Sequence, residues 1–187
     1  MVIEIIGFLL GLLYLWWEYH ADRRMWIVGL VMPCISMWVY YTKGLYADFA
    51  MNIYYLVMAL YGFTAWSRHL KKDKPELPIR HMSGRVILGI LGAFIPVYAL
   101  IAAWLVFLTD SNVPYADAFT TAMSIVATWA LARKYIEQWI MWVLVDAVCT
   151  GLYIYKGIYF YSALYAIYTV VAVLGYRKWL KLMTAGQ

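Results

Sequence analysis

Charge is what this chain lacks: 13% of its 187 residues are Asp, Glu, Lys or Arg, against 66% hydrophobic residues and a mean hydropathy of +0.71. Soluble domains carry about 25% charged residues, so the composition excludes a water-soluble globule and describes an integral membrane protein. Cysteine is nearly absent. Cys34 and Cys149 both fall inside apolar runs and read as packing residues with no disulfide framework. The three histidines, His20, His69 and His81, lie near loops and form no ligand cluster, which leaves no metal site. No phosphate-binding glycine loop and no nucleophile–base arrangement occurs, so neither an enzyme nor a cofactor finds support. The net charge of +5 sits on basic residues that are not gathered on a polar domain, which argues against nucleic acid as a partner. The apolar N-terminal run lacks a basic leader and a small-residue cleavage site, so it reads as a retained span.

What is present is apolar length. Hydrophobic runs separated by charge or turn clusters predict seven membrane-spanning helices at 2–19, 25–41, 45–66, 86–108, 115–132, 136–155 and 158–176. Tight turns at Lys43-Gly44 and Lys156-Gly157 make neighbouring helices antiparallel. Thirteen of the fifteen Lys and Arg fall on one side of this topology, leaving Lys43 and Lys156 on the other. Basic residues in short loops stay cytoplasmic, which predicts an outside N-terminus and a cytoplasmic C-terminus.

The chain also repeats itself. Laid over itself without a gap so that Trp16 falls on Trp129, the stretch from Trp16 to Trp66 matches that from Trp129 to Trp179 with thirteen identities in fifty-one positions. The matched pairs include Trp26 with Trp139, Tyr40 with Tyr153, Gly62 with Gly175 and Trp66 with Trp179. Residues 1–66 therefore read as one three-helix repeat and 115–187 as a second with its cytoplasmic tail. Residues 67–114 supply a cytoplasmic linker and a bridging fourth helix. An offset of four helices restores direction, so the repeats are parallel, an arrangement of transporters whose substrate sites lie near mid-membrane between the repeats.

Polar groups inside such spans are expensive and mark function. Asp146 sits midway along the sixth span, where an acid costs about 2.5 to 3.5 kcal/mol. Trp139, Trp142, Thr150 and Tyr153 share its face at three- and four-residue spacing, an aromatic cage around an anion that suits a planar cation. The other reading is an Asp that stitches helices. In the third span Asn52 and Tyr55 share a face, and the Asn52 amide serves either as a cargo contact or as an interhelical clasp. Pro33, opposite Asp146 in the repeat, kinks the second span as a gate or as plain packing. Thr120, Thr121, Ser124 and Thr128 suit close helix packing as well as cargo. Asp48 and Asp117 lie towards the outside, where they would draw a cation to an entrance. Glu18 and Glu137 lie near basic residues and are expected in ion pairs.

Gly44-Leu45-Tyr46-Ala47-Asp48, Asn52-Ile53-Tyr54-Tyr55 and Tyr61-Gly62-Phe63-Thr64-Ala65-Trp66 resemble the end of the first repeat in the PnuC family of bacterial vitamin transporters. Ala132-Arg133-Lys134-Tyr135-Ile136-Glu137-Gln138-Trp139 and Trp142 resemble its fifth and sixth spans, although the usual Tyr-Gly-Trp here reads Tyr61-Gly62-Phe63. The resemblance implies a SWEET-like fold of two three-helix bundles, a homotrimer in the bacterial cytoplasmic membrane, and facilitated diffusion of a vitamin trapped by a cytoplasmic kinase. The wording of 45–55, with Asn52 and Asp146 where nicotinamide riboside carriers of the family tend to have Gln and Asn, is more similar to the thiamine-carrying PnuT group. Thiamine is thus the expected cargo and nicotinamide riboside the alternative. A noncatalytic membrane subunit is the reading outside transport.

Overall fold

The computed structural model describes residues 2–42, 46–68 and 77–185. Among them run seven α-helices: α1 (Val2–Tyr19), α2 (Met25–Thr42), α3 (Tyr46–Trp66), α4 (Gly84–Leu108), α5 (Pro114–Ala132), α6 (Gln138–Tyr155) and α7 (Tyr159–Ala185). The Lys43-Gly44 turn and most of the basic linker, residues 69–76, lie outside the described residues. The first six helices fall within two residues of the sequence expectation at both ends. Helix α7 does not: it runs nine residues past the expected end at 176. The apolar run does stop there, but Arg, Lys, Leu and Met are strong helix formers, and the fully buried Trp179 anchors the extra turns.

Helices α2, α3, α4, α6 and α7 are long and apolar enough to cross a membrane. Helix α5 is diluted by hydroxyls. Thr121, Ser124 and Thr128 each donate to a carbonyl one turn earlier, at 2.8 Å, and Thr120 donates to Asp117 O at 3.0 Å. Their hydrogen bonds are thereby satisfied within the helix, which lets polar side chains sit in apolar surroundings. Pro33 is buried and α2 continues through it, although the missing N–H leaves the Gly29 carbonyl without its helical partner.

The chain forms two compact units, the first of the described residues up to Pro78 with Ala132–Lys134, the second of Ile79–Leu131 with Tyr135–Ala185. In the first, Trp26 of α2 meets Trp66 of α3 edge to face, centroids 5.6 Å apart at 88°, with both rings about 1% exposed. Gly62 makes room for them: a Cβ there would lie 2.7 Å from Trp26 Cδ2 and closer still to Cε2 and Cζ2. The Trp66 indole donates to the Ala132 carbonyl at 3.1 Å, and the buried Lys134 ammonium lies 4.6 Å from the Trp66 ring centre.

In the second unit, Trp139 of α6 meets Trp179 of α7 at 5.7 Å and 88°. Gly175 occupies the place of Gly62, since its Cβ would lie 2.6 Å from Trp139 Cη2. The two Trp–Trp–Gly arrangements are related by the offset of the sequence repeat and have the same internal geometry. Turns obey that offset too, for Ala21 and Lys134 have positive φ of 53° and 54°. Helix α4, expected as a separate bridge, is grouped with α5 to α7: Val86 and Ile90 pack on a core of Met82, Ala130 and Tyr135, and Phe94 meets Phe119 at 5.9 Å. The strip 79–82 is docked as well. Ile136 N–H donates to Arg80 O at 3.1 Å, and Glu137 accepts the Met82 N–H at 3.0 Å and contacts His81 Nδ1 at 2.8 Å.

Candidate functional site

An acid placed mid-helix by sequence should sit among protein atoms, and Asp146 does: it is 7% exposed on α6, a turn from Cys149 and Thr150. Its neighbours come from two helices. Tyr165 and Tyr168 of α7 and Cys149 of α6 lie close enough to interact electrostatically with its carboxyl. Thr150 donates to the Asp146 carbonyl at 2.7 Å, and Ser162 of α7 donates to the Thr150 carbonyl at 3.2 Å, which fixes α7 beside this stretch of α6. The Thr150 hydroxyl thus closes on its own helix, and its carbonyl is what ties α6 to α7.

Aromatic rings continue outwards from the carboxyl. Tyr153 stacks on Tyr165, centroids 5.3 Å apart at 12°, and on Tyr161 at 5.4 Å and 25°. Tyr168 meets Tyr165 edge on at 5.8 Å. The stripe expected on α6 is therefore completed by α7. Tyr165 and Tyr168 are not among the expected site residues, although the repeat points to both, as the partners of Asn52 and Tyr55.

The cage needs one correction. Trp139 is 2% exposed, edge-on to Trp179 and pressed against Gly175, so its ring is consumed by helix packing. Its repeat partner Trp26 is held the same way, which makes both scaffold. Trp142 differs: the residue is partly exposed, while its indole nitrogen is buried without a hydrogen-bond partner.

Of the remaining candidates, all but Asp117 lie in the first unit. Asn52 and Tyr55 are half-buried on α3, and Tyr55 meets Tyr54 at 5.7 Å and lies near the α1 residue Tyr14. The Asp48 side chain lies outside the described residues. Asp117, in the second unit, is tied down: Ser111 donates to Oδ2 at 3.0 Å and Lys156 Nζ lies 3.7 Å from Oδ1. A neighbouring ammonium offsets the field that an entrance carboxylate would supply. Glu137 takes His81 and Met82, and in the first unit Asp22 pairs with Arg24, at 2.6 Å. That guanidinium holds the Asp22 carboxyl below the usual carboxylate range. Glu18, 3% exposed, lies near Tyr14. No group of three or more His, Cys, Asp or Glu that could hold a metal occurs among the described residues.

Chemically the Asp146 neighbourhood offers one carboxyl, phenolic hydroxyls, a free indole donor and stacking faces. Those are the groups that hold a flat, cationic, hydroxylated solute.

Comparison with known proteins covers nearly the whole chain. A family model described as "Nicotinamide mononucleotide transporter" matches residues 1–181. The nicotinamide riboside transporter PnuC of Escherichia coli (strain K12) is 26% identical over 202 residues, covering 95% of this chain and 84% of that one. The riboflavin/roseoflavin transporter RibM of Streptomyces davaonensis is 26% identical over 181 residues, covering 94% and 83%. The crystal structure of the vitamin B3 transporter PnuC superposes with a TM-score of 0.71 at 25% identity, covering 95% of this chain and 80% of that one.

Proposed function

Because the chain belongs to the nicotinamide mononucleotide transporter family, we propose that it carries nicotinamide riboside across the bacterial cytoplasmic membrane. The observation that carries this reading is the buried Asp146 beside Trp142, Tyr165 and Tyr168, in a chain whose relatives include carriers of that cargo. Nicotinamide riboside has a positively charged pyridinium ring, a carboxamide and ribose hydroxyls. A carboxylate offsets the ring charge, aromatic faces stack on it, and phenols bond the hydroxyls. The thiamine expectation gives way to its alternative here. The relatives named above carry nicotinamide riboside, vitamin B3 or riboflavin, and a carboxylate among rings serves a pyridinium as well as a thiazolium.

The finer features belong to the same proposal. All seven helices cross the membrane, with the N-terminus outside. The equal Trp–Trp–Gly geometries support two three-helix repeats of one design. Transport is facilitated diffusion, with phosphorylation by a cytoplasmic kinase trapping the cargo. The protein assembles as a homotrimer, as the family resemblance implies. Asp146, Trp142 and Tyr153 are the cargo contacts of the second unit, Asn52 and Tyr55 those of the first, and Pro33 marks a flexible point in α2.

Calorimetry on purified protein tests the cargo, with nicotinamide riboside, thiamine and riboflavin titrated separately. Saturable binding of nicotinamide riboside is expected. Binding of thiamine or riboflavin with none of nicotinamide riboside would overturn the assignment. Proteoliposomes loaded with a riboside kinase and ATP test the movement: a purely structural subunit gives no accumulation.

A further inference from the structure

The repeat supplies an internal control for each residue of α6. Gln138, Trp142, Asp146 and Thr150 follow one another at four-residue spacing along one flank of the helix. Their partners in the first repeat are Met25, Gly29, Pro33 and Met37, none with a hydrogen-bonding side chain. Around this flank the scaffold is kept: Trp26 with Trp139, Gly62 with Gly175, Trp66 with Trp179, and the positive-φ turn residues Ala21 and Lys134. Polarity on this flank is therefore something the second repeat has and the first does without.

Gln138 is the sharpest case. Its side chain is completely buried, and neither Oε1 nor Nε2 has a hydrogen-bond partner. One turn on, the Trp142 indole nitrogen is buried and equally unpartnered. The indole of Trp139 shares this state with its mate Trp26 and goes with the Trp–Trp scaffold. Gln138 has no such mate, for Met25 fills the equivalent position and is likewise fully buried. The fold is thus satisfied by an apolar side chain of the same length at this place. An amide kept there without a partner costs stability, and a bound molecule would recover that cost.

We propose that Gln138, with Trp142, is a second cargo station, which takes a planar edge bearing one donor and one acceptor side by side. For nicotinamide riboside that edge is the primary carboxamide, which pairs with the Gln138 amide through two hydrogen bonds while its ring lies towards Trp142. Eight residues separate Gln138 from Asp146, about 12 Å along the helix, so the two stations mark successive levels of one path. Gln138 is covered in the present conformation and becomes reachable in another state of the transport cycle.

This inference rests on the nicotinamide riboside reading, and the experiment separates the two. Binding and proteoliposome uptake are measured for nicotinamide riboside and for nicotinic acid riboside, whose carboxylate has lost the donor. The proteins are wild type, Gln138→Met, which copies the other repeat, and Gln138→Leu, each checked for monodispersity and thermal midpoint. Wild type is expected to prefer the carboxamide, and the folded variants to lose tenfold or more in affinity for nicotinamide riboside together with that preference. A folded variant that binds and transports nicotinamide riboside as wild type does would overturn the inference alone. It is overturned too if both variants fail to fold, because the amide is then part of the scaffold. A wild type that binds no nicotinamide riboside overturns the cargo reading and this inference with it.

Discussion

Adding a single methyl group at Gly62 or Gly175 should destabilise the protein, and by similar amounts. A Cβ at Gly175 would lie 2.6 to 2.7 Å from three atoms of the Trp139 ring, and one at Gly62 would overlap Trp26 at least as closely. Neither ring can swing away: each is at most 2% exposed and held edge-on to a second buried indole. Overpacking of this kind costs about 1 to 3 kcal/mol. Replacing a helical glycine by alanine returns about 0.5 to 1 kcal/mol, so the net loss is at most about 2.5 kcal/mol, and against a glycine-to-alanine change in open space it is about 1 to 3 kcal/mol. For a chain of this length that places the thermal midpoint about 2 to 12 °C below such a control. Gly89 and Gly151 supply the control, since a Cβ at either meets nothing within 4 Å. Gly89→Ala and Gly151→Ala should be neutral or slightly stabilising. The assay is thermal unfolding in one detergent, followed by tryptophan fluorescence. Trp26→Phe should relieve the Gly62→Ala penalty, because the smaller ring leaves room for the methyl group. If Gly62→Ala and Gly175→Ala unfold at the same temperature as the two controls, the tight Trp–Gly seating is wrong.

Removing the carboxyl with Asp146→Ala should weaken nicotinamide riboside binding by about 10- to 160-fold, the worth of a hydrogen bond to a charged group at about 1.5 to 3 kcal/mol; calorimetry decides, and an unchanged constant removes Asp146 from the site. Glu137→Ala should release the strip at 79–82, read as loss of hydrogen-exchange protection at the Met82 amide, whose partner is Glu137 Oε2. Trp66→Phe should destabilise by about 1 to 3 kcal/mol by leaving the Ala132 carbonyl without its donor. Arg24 holds the Asp22 carboxyl below its ordinary range, so its contribution is present at neutral pH and fades as the pH falls through that depressed value. Both groups are partly exposed and screening keeps the effect small, so Asp22→Asn should change the thermal midpoint slightly at pH 7 and progressively less as the pH falls through the depressed value.

Six helices were legible to within two residues because crossing a membrane imposes a long apolar run and turns interrupt it. The end of α7 was not, since hydropathy reports where lipid stops and not where a helix does. The offset that pairs Trp66 with Trp179 carries the better signal, for α3 reaches Trp66 and α7 passes Trp179. Asp146 stood out in sequence because an acid in an apolar run is costly wherever it points. Which aromatics accompany it was harder: spacing put Trp139, Trp142 and Tyr153 on one face of α6, but spacing within one helix cannot tell a ring that faces a cavity from one that faces the neighbouring helix.

By itself, the sequence determined a helical membrane protein, a duplication that lays Trp16–Trp66 over Trp129–Trp179 and a costly acid at Asp146, because each follows from composition or from periodicity along one chain. Tertiary structure decided which matched residues form the scaffold, placing Trp139 against Gly175 and Trp179 and leaving Trp142 and Gln138 with unpartnered polar atoms. It also brought Tyr165 and Tyr168 to the carboxyl from a second helix. Contacts between helices depend on how two surfaces interlock, and the pattern along either surface carries only half of that.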